Sequence, residues 1–211
     1  TTHFGKPEEA IIRDITGGKS PHRVLGGVSV VTLVSAAQLL FHHEDIGVYY
    51  YANIPNNELG NIILDTVEKT PLCTDCIQVM EGESVVTYAL CGNDQYGKPS
   101  RTFICAPSVH PSTALQLGQL DHGFYASQLT VFSAIQWEPE ISRNFSRVLR
   151  ECKRNNSITV VGTASDPLMR GRSKWILGDS DEVYKYIDIL IMNKEEALHY
   201  SGTQDLHSAV T

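Results

Sequence analysis

The stretch Asp188-Ile-Leu-Ile-Met-Asn193-Lys-Glu-Glu196-Ala-Leu-His-Tyr-Ser-Gly202 decides the fold. Its apolar start is typical of a short buried strand, and Asn193 follows as an N-cap for the helix that the next residues begin. In an open α/β sheet, ligands bind at the carboxyl ends of the strands, so Asn193 and Glu196 occupy a position where a site is expected. An Asn cap followed by acidic residues is also ordinary helix chemistry, so this stretch alone leaves both interpretations open.

Upstream of this stretch, strand and helix patterns alternate. The pattern predicts a strand at Leu129–Ile135, a helix at Glu140–Asn155, a strand at Ile158–Val161 and a short helix over 180–187. Alternation of this kind is typical of a parallel sheet with right-handed crossovers. The sequence therefore predicts an α/β domain whose sheet ends in the strand that begins at Asp188.

The first half of the chain predicts further elements. Val28–Leu40 is apolar on nearly every side, which predicts a buried helix. Asp45–Ala52 is rich in strand-forming residues, and Pro55-Asn56-Asn57-Glu58 predicts a helix start in which the asparagines are caps. Ser84–Gly92 and Arg101–Ala106 predict a β-hairpin inserted into the alternating pattern.

Composition excludes several classes of function. The chain has 211 residues and a net charge of -7, without a cluster of Lys and Arg, so we expect no binding to nucleic acid. No apolar stretch approaches the ~20 residues of a membrane span, and the start lacks a signal-peptide pattern, so we expect a cytoplasmic protein without a membrane partner. The five cysteines are scattered as in a reducing compartment, and the lone pair Cys73-x-x-Cys76 lacks the further ligands of a zinc site.

Near the start, Gly17-Gly18-Lys19-Ser20 has two alternative interpretations. A phosphate-binding P-loop requires a first glycine where this chain has Arg13, and no buried strand precedes it. A hairpin turn at Gly17-Gly18 is therefore the preferred interpretation.

Three features, taken together, resemble the PfkB (ribokinase-like) carbohydrate kinases. These are the strand with Asn193-x-x-Glu196, the pair Gly26-Gly27 before a long helix, and Asp166-Pro-x-x-Arg170 followed by Trp175. The resemblance implies a ribokinase-like α/β fold, with a mostly parallel sheet flanked by helices and a small β lid near the N-terminal side. Residues 1–211 would be one incomplete domain of this kind, with 84–106 and part of 10–25 as the lid strands.

The resemblance also implies a function: transfer of the γ-phosphoryl group of ATP to a hydroxyl of a sugar or a nucleoside-like small molecule, with Mg²⁺. Asn193 and Glu196 would bind the nucleotide end of the site, Glu196 reaching Mg²⁺ through water. A homodimer paired through the β lid is expected. The residues that would bind the substrate are Gly26, Gly27, Arg101, Asp166 and Arg170.

Several departures from the family keep alternatives open. The Gly-Ala-Gly-Asp motif that carries the family's catalytic base does not occur, so the base is expected beyond Thr211. Val31 and Leu168 stand where the family has asparagine, which favours the alternative of a non-catalytic ligand-binding or dimerising relative. Arg170 has a second interpretation as a structural partner of Asp166. A nucleotide-binding domain of another family is less favoured, because no Gly-x-Gly-x-x-Gly follows a strand.

Overall fold

The computed structural model describes residues 8–18, 22–84, 86–93, 95–105, 113–164 and 174–210. The chain divides into two compact units, and each is described by itself. The smaller unit comprises Thr1–Gly26 with Val85–Ser108, and the larger comprises Gly27–Ser84 with Val109–Thr211.

The described residues form helices, strands and short 3₁₀ helices. The α-helices are α1 (Glu8–Thr16), α2 (Val28–Leu40), α3 (Glu58–Glu68), α4 (His122–Tyr125), α5 (Pro139–Arg143), α6 (Phe145–Arg154), α7 (Lys194–Ser201) and α8 (Leu206–Val210). The strands are β1 (Ala52–Pro55), β2 (Ile77–Met80), β3 (Thr87–Asn93), β4 (Pro99–Cys105), β5 (Leu129–Ser133), β6 (Ile158–Gly162) and β7 (Ile189–Ile191). The 3₁₀ helices are Leu117–Gln119, Ile135–Trp137 and Asp181–Tyr186.

The larger unit is built on parallel strands. Strands β5, β6 and β7 form a three-stranded parallel sheet in that spatial order, and β1 pairs with β2 in parallel. The smaller unit contains the antiparallel pair β3–β4. This combination of parallel strands, flanking helices and a small antiparallel sheet confirms the predicted α/β class and the predicted hairpin.

The core lies on one face of the β5–β6–β7 sheet. Phe132 of β5 and Val161 of β6 point to that face and are buried, as strand alternation requires. Helix α6 covers them with apolar residues at helical spacing, including Phe145 and Leu149, which are fully buried. The rings of Phe132 and Phe145 meet edge to face with their centroids 5.1 Å apart.

The opposite sheet face and helix α2 are more exposed than the sequence predicts. Ile191 is 58% exposed and Leu39 of α2 is 80% exposed, whereas Val30 and Ala37 are buried. The prediction that α2 is buried on every side is therefore wrong for the part of the chain that the structure describes. The described residues cover only one side of this helix, and apolar composition alone cannot specify how many sides are covered.

The predicted contribution of residues 10–25 to the lid strands is wrong for the start of that segment, because α1 is a helix. Arg13 lies in its last turn, where a positive charge complements the helix dipole. Gly17 and Gly18 both have positive φ, and the Gly18 N–H donates to the Arg13 carbonyl at 3.0 Å. The two glycines therefore end a helix in a Schellman-type turn and do not join two strands.

Two other boundaries differ from the sequence predictions. The run Asp45–Ala52 is mostly irregular, with a single bridge from Tyr49 to Cys73 before β1 begins at Ala52. The helix predicted over Glu140–Asn155 is divided into α5 and α6 at Asn144. The Asn144 side chain donates to the Glu140 carbonyl at 2.9 Å, which is the local competition with helix hydrogen bonding that asparagine provides.

Helix α3 begins as the sequence predicts. Asn57 is its N-cap, and the Asn57 side chain accepts a hydrogen bond from the Gly60 N–H at 2.9 Å. Gly60 lies so close to the end of β1 that an added Cβ would be 1.8 Å from the Pro55 carbonyl oxygen. The absence of a side chain at Gly60 therefore allows α3 to turn back directly onto β1.

Substituting Gly60→Ala should destabilise the protein by about 1–3 kcal/mol, because the new methyl group forces the backbone of β1 away from α3. Urea unfolding followed by circular dichroism measures the change. Gly118→Ala is the matched control, since a Cβ at that position meets nothing within 4 Å. Equal unfolding midpoints for the two variants would show that the close approach is not a constraint.

The Asp188 carboxylate forms hydrogen bonds at the amino-terminal edge of the sheet. Its carboxylate accepts hydrogen bonds from the Lys153 ammonium at 2.6 Å and from the Thr159 N–H at 2.8 Å. The hydrogen bond from Lys153, with those from Thr159, lowers the pKa of Asp188 below its ordinary value. The contact joins α6, β6 and the start of β7.

Because the pKa of Asp188 is lowered by folding, its contribution to stability is present above the unfolded pKa of about 3.9 and is lost as the pH falls through the lower folded value. We therefore expect Asp188→Asn to be less stable than the unaltered chain at pH 7, with the difference shrinking below pH about 4. Thermal unfolding across this pH range measures it. Asp65→Asn, which removes an exposed pair with Lys69 on α3, should have little effect at either pH.

No helix within the described residues is both long enough and apolar enough to cross a membrane.

Candidate functional site

The predicted strand-to-helix turn after β7 is present. Asn193 is the N-cap of α7, and its side-chain oxygen accepts a hydrogen bond from the Glu196 N–H at 2.9 Å. The Glu196 carboxylate in turn accepts from the Asn193 N–H at 3.1 Å, which completes a capping box. Gly202 ends the helix in the left-handed conformation.

Glu196 has a role beyond the cap. Its side chain is buried, with Glu196 only 7% exposed. Its Oε2 atom accepts a hydrogen bond from the Thr163 hydroxyl at 2.6 Å, and its Oε1 atom accepts one from the Asn193 side-chain amide at 2.8 Å. A buried carboxylate requires such donors. Glu196 therefore links the segment after β6 to the start of α7.

A cavity of about 300 Å³ lies at this edge of the sheet, within the larger unit. Its walls are mostly apolar, and hydroxyl, amide and carboxylate groups lie where the strands end. The residues that line it are Val28, Thr32, Val131, Ser133, Val160, Gly162, Thr163, Ile191, Met192, Asn193 and Glu196. An apolar cavity with a few convergent polar groups at the carboxyl ends of parallel strands is the usual form of a small-molecule site.

The N-terminus of α2 borders the same cavity through Val28 and Thr32. Its N-cap is Gly27, whose φ of 101° lies in the region that favours glycine, and no side chain caps the helix. The Ser29 hydroxyl donates to the Ser133 carbonyl at 3.3 Å and holds this helix end against β5. At Gly26 an added Cβ would meet nothing within 4 Å, so no contact with the described residues requires glycine at that position.

The remaining predicted site residues belong to the smaller unit or lie outside the described part of the chain. Arg101 is exposed on β4 of the smaller unit, opposite Cys91. Asp166 and Arg170 lie outside the described residues. Trp175, the last residue of that motif, is buried, and its ring stacks on His199 of α7 with centroids 4.4 Å apart. Trp175 therefore anchors the chain to α7.

Sequence reasoning missed Ser133 and Thr163. Each lies at or directly after the end of a strand, at the same edge of the sheet as Asn193. A usable signal was present, because each is a hydroxyl residue that interrupts or follows an apolar run at that edge. The apolar residues of β5 and β6 identify the strands, but they do not mark the hydroxyl residues at the strand ends.

The Glu196 carboxylate is chemically suited to bind a Mg²⁺ ion through the water molecules of that ion. Mg²⁺ retains several of its waters and commonly uses one or two carboxylates together with phosphate oxygens. Glu196 lines the cavity, and a carboxylate oxygen that accepts one described hydrogen bond, as Oε1 does, can accept another from a metal-bound water. Across the described ranges, no three His, Cys, Asp or Glu side chains are grouped so that they could hold a metal by themselves.

No protein-family model matches the chain, and no curated protein matches it. Solved structures do match. A fructokinase from Xylella fastidiosa matches with a TM-score of 0.65 and 13% identity, over 90% of this chain and 61% of that one. A second structure of the Xylella fructokinase has ATP bound. An adenosine kinase from Sinorhizobium meliloti matches with a TM-score of 0.63 and 17% identity, over 96% of this chain and 59% of that one.

A third match is a PfkB protein from Polaromonas sp. JS666, with a TM-score of 0.62 and 9% identity, over 90% of this chain and 62% of that one. The chain thus spans about three fifths of the length of these structures. The parallel sheet with a cavity at its carboxyl edge defines an α/β protein of the open-sheet class. Within that class it has the ribokinase-like fold, and the resemblance to the PfkB kinases is confirmed at the level of the fold.

Replacing Thr163 by valine should destabilise the protein by about 1–3 kcal/mol, because the buried Glu196 carboxylate loses a hydrogen-bond donor. Thr163→Ser keeps the hydroxyl and should stay within about 1 kcal/mol of the unaltered chain. Chemical unfolding at pH 7 measures both. If valine and serine had equal effects, the Thr163 hydroxyl would not be what stabilises Glu196.

Proposed function

We propose that this chain forms part of a PfkB-type carbohydrate kinase, which transfers the γ-phosphoryl group of ATP to a hydroxyl of a sugar or sugar-like molecule. The observation that carries the proposal is the cavity bordered by the capping box of Asn193 and Glu196 and by the N-terminus of α2. The ribokinase-like fold and the ATP bound in the Xylella fructokinase support it.

The proposal assigns the two ends of the cavity different roles. Gly26 and Gly27 lie beside the sugar, where the uncapped first turn of α2 offers N–H groups to hydroxyl or phosphate oxygens. Asn193 and Glu196 organise the phosphate end, and Glu196 holds the waters of Mg²⁺. The ion supplies charge neutralisation for the phosphates when it is bound.

Three further residues belong to the proposal through sequence position. Arg101 reaches the substrate from the lid, and Arg170 binds a phosphate or substrate oxygen with its planar guanidinium, oriented by Asp166. Strand β4, which carries Arg101, also contributes to a lid that pairs two copies into a homodimer. We place the enzyme in the cytoplasm.

The catalytic base is assigned to no residue of this chain. Transfer to a hydroxyl requires a group that accepts its proton and donors that stabilise the phosphoryl oxygens. The Gly-Ala-Gly-Asp motif that would supply both is absent from the 211 residues. The proposal places these groups in polypeptide equivalent to the part of the kinases that this chain does not match.

The second candidate is a relative that binds a ligand without catalysis. The observation that favours it is Val31, at a position where the resemblance implies a sugar-binding asparagine. Val31 is 48% exposed on α2 and has no polar group to offer a sugar. This candidate predicts binding of a sugar or nucleotide with no turnover, so one set of measurements separates the two.

Equilibrium dialysis of the intact protein against ATP, with and without Mg²⁺, tests the proposed site. We expect Mg²⁺ to strengthen ATP binding by at least about tenfold, and Glu196→Gln to abolish most of that gain by removing the carboxylate charge. Glu195→Gln is the matched control, because Glu195 is an exposed residue in the same helical turn. A parallel assay of ADP formation with fructose, ribose and adenosine separates catalysis from binding.

The binding and turnover measurements distinguish the two candidate functions. ATP binding that depends on Mg²⁺ and on Glu196, with ADP formation on one acceptor, supports the kinase. Binding without turnover supports the second candidate. If Glu195→Gln and Glu196→Gln had the same affinity for ATP in the presence of Mg²⁺, the assignment of the phosphate end to Glu196 would be wrong.

A further inference from the structure

The turn after β5 sends Ser133 and Ile135 to opposite sides of the sheet. On a continuous strand, residues two apart share one face. Val131 and Ser133 do so and line the cavity, whereas Ile135 is buried in the core. Ala134 causes this reversal, because its φ of 53° and ψ of 39° lie in the left-handed region. The chain therefore leaves the wall of the cavity directly after Ser133.

The left-handed conformation of Ala134 is held by the neighbouring strand. Residues other than glycine rarely adopt this conformation, and those that do are concentrated at functional sites. The Ala134 N–H donates to the Gly162 carbonyl at 3.1 Å, and the Gln136 side-chain amide donates to the Ala164 carbonyl at 2.8 Å. These bonds keep open the space beyond Ser133, which a strand continued to Ile135 would fill with an isoleucine side chain.

Two polar groups of this turn have no partner among the described residues. The Ser133 hydroxyl lines the cavity and forms no hydrogen bond there, although the Ser133 carbonyl accepts one from Ser29. The Gln136 Oε1 atom is buried and accepts none. Buried polar atoms are nearly always paired, and an exception at a site often means that water or a ligand supplies the partner.

Gly162 leaves room for the Ser133 hydroxyl. The two residues pair in register across β5 and β6, and both line the cavity. A Cβ added at Gly162 would lie 3.3 Å from Ser133 Oγ, which is closer than ordinary van der Waals contact. The absence of a side chain at Gly162 therefore keeps this hydroxyl accessible from the cavity.

Ser133 lies at the end of the cavity that the proposed function assigns to the sugar. The Ser29 hydroxyl donates to its carbonyl at 3.3 Å, so the N-terminus of α2 lies against it. Ser133, Gly162 and Ile191 lie side by side on the three strands. With about 4.8 Å between neighbouring strands, Ser133 is ~10 Å from Ile191, which precedes the turn with Asn193. A small molecule fits between Ser133 and the phosphate end.

From this geometry we infer that Ser133 is a specificity-determining residue, whose hydroxyl forms a hydrogen bond with a hydroxyl group of a sugar or nucleoside. The inference rests on the proposed function for the class of ligand, but it concerns binding alone. A serine hydroxyl both donates and accepts, so it pairs with a ligand hydroxyl in either direction. A ligand that lacks this hydroxyl leaves Ser133 unpaired, and the site discriminates against it.

Equilibrium dialysis of the intact protein against radiolabelled fructose, ribose and adenosine tests the inference. The probe that binds most tightly is then compared with its monodeoxy analogues. We expect Ser133→Ala to weaken binding of the parent compound about two- to tenfold, and one deoxy analogue to lose as much on the unaltered chain. That analogue should bind Ser133→Ala and the unaltered chain equally, because the shared hydrogen bond is lost only once.

Two further variants accompany this measurement. Ser127→Ala is the matched control, because Ser127 precedes β5 at the opposite edge of the sheet, and it should bind the probe as the unaltered chain does. Gly162→Ala should weaken binding of the parent compound, because its methyl group presses on the Ser133 hydroxyl. Circular dichroism establishes that each variant is folded.

Three results would overturn the inference. One is that Ser133→Ala binds the probe as tightly as Ser127→Ala does. Another is that the losses from Ser133→Ala and from every deoxy analogue add, and the third is that none of the three probes binds at millimolar concentrations.

The assay of ADP formation separates this inference from the kinase proposal. Coupling between Ser133 and one ligand hydroxyl, without ADP formation, supports the inference while the kinase proposal fails. ADP formation with a KM that Ser133→Ala leaves unchanged supports the kinase and contradicts the role of Ser133.

Discussion

The buried carboxylate of Glu196 joins the start of α7 to the segment after β6 at the carboxyl edge of the sheet. It accepts hydrogen bonds from the Asn193 N–H, the Asn193 side chain and the Thr163 hydroxyl. Those donors come from the N-cap of α7 and from the segment after β6. Burial of a carboxylate is costly without such donors. The burial of Glu196 therefore depends on the positions of both Asn193 and Thr163. Asn193, Glu196 and Thr163 all line the cavity.

The sheet separates two environments. On one face, Phe132 and Val161 are enclosed by α6 and supply the core on which the larger unit depends. On the other face, Ile158, Ile189 and Ile191 remain about half exposed. The candidate site lies where this second face meets α2, so the strands that line the cavity are supported on their other face by the core.

Local patterns in the sequence were sufficient to predict the strand-to-helix turn at Asn193, the cap at Asn57 and the alternation from β5 to α7. Each depends on neighbouring residues, and such signals are visible in one chain. The helix at α1 was missed because paired glycines end helices as readily as they join strands. The exposure of α2 was missed because it depends on which surfaces meet in space.

The site was predicted in part for the same reason. Asn193 and Glu196 follow one strand directly, so their position was apparent. The hydrogen bond from Thr163 to Glu196 joins residues 33 apart in the sequence, and its formation depends on strand order. Arg101 lies in a separate unit, and no local pattern relates it to the cavity.

The order of the strands in the sheet also has a consequence for folding. Strands β5, β6 and β7 are neighbours in the same order in space and in the chain. The pairs Leu129–Ile158 and Val160–Ile189 each join residues 29 positions apart (158 minus 129 and 189 minus 160). The two loop closures therefore carry the same entropic cost, and neither requires a distant segment. This part of the sheet is suited to stepwise assembly during synthesis, each strand adding to an edge that the preceding crossover has already formed.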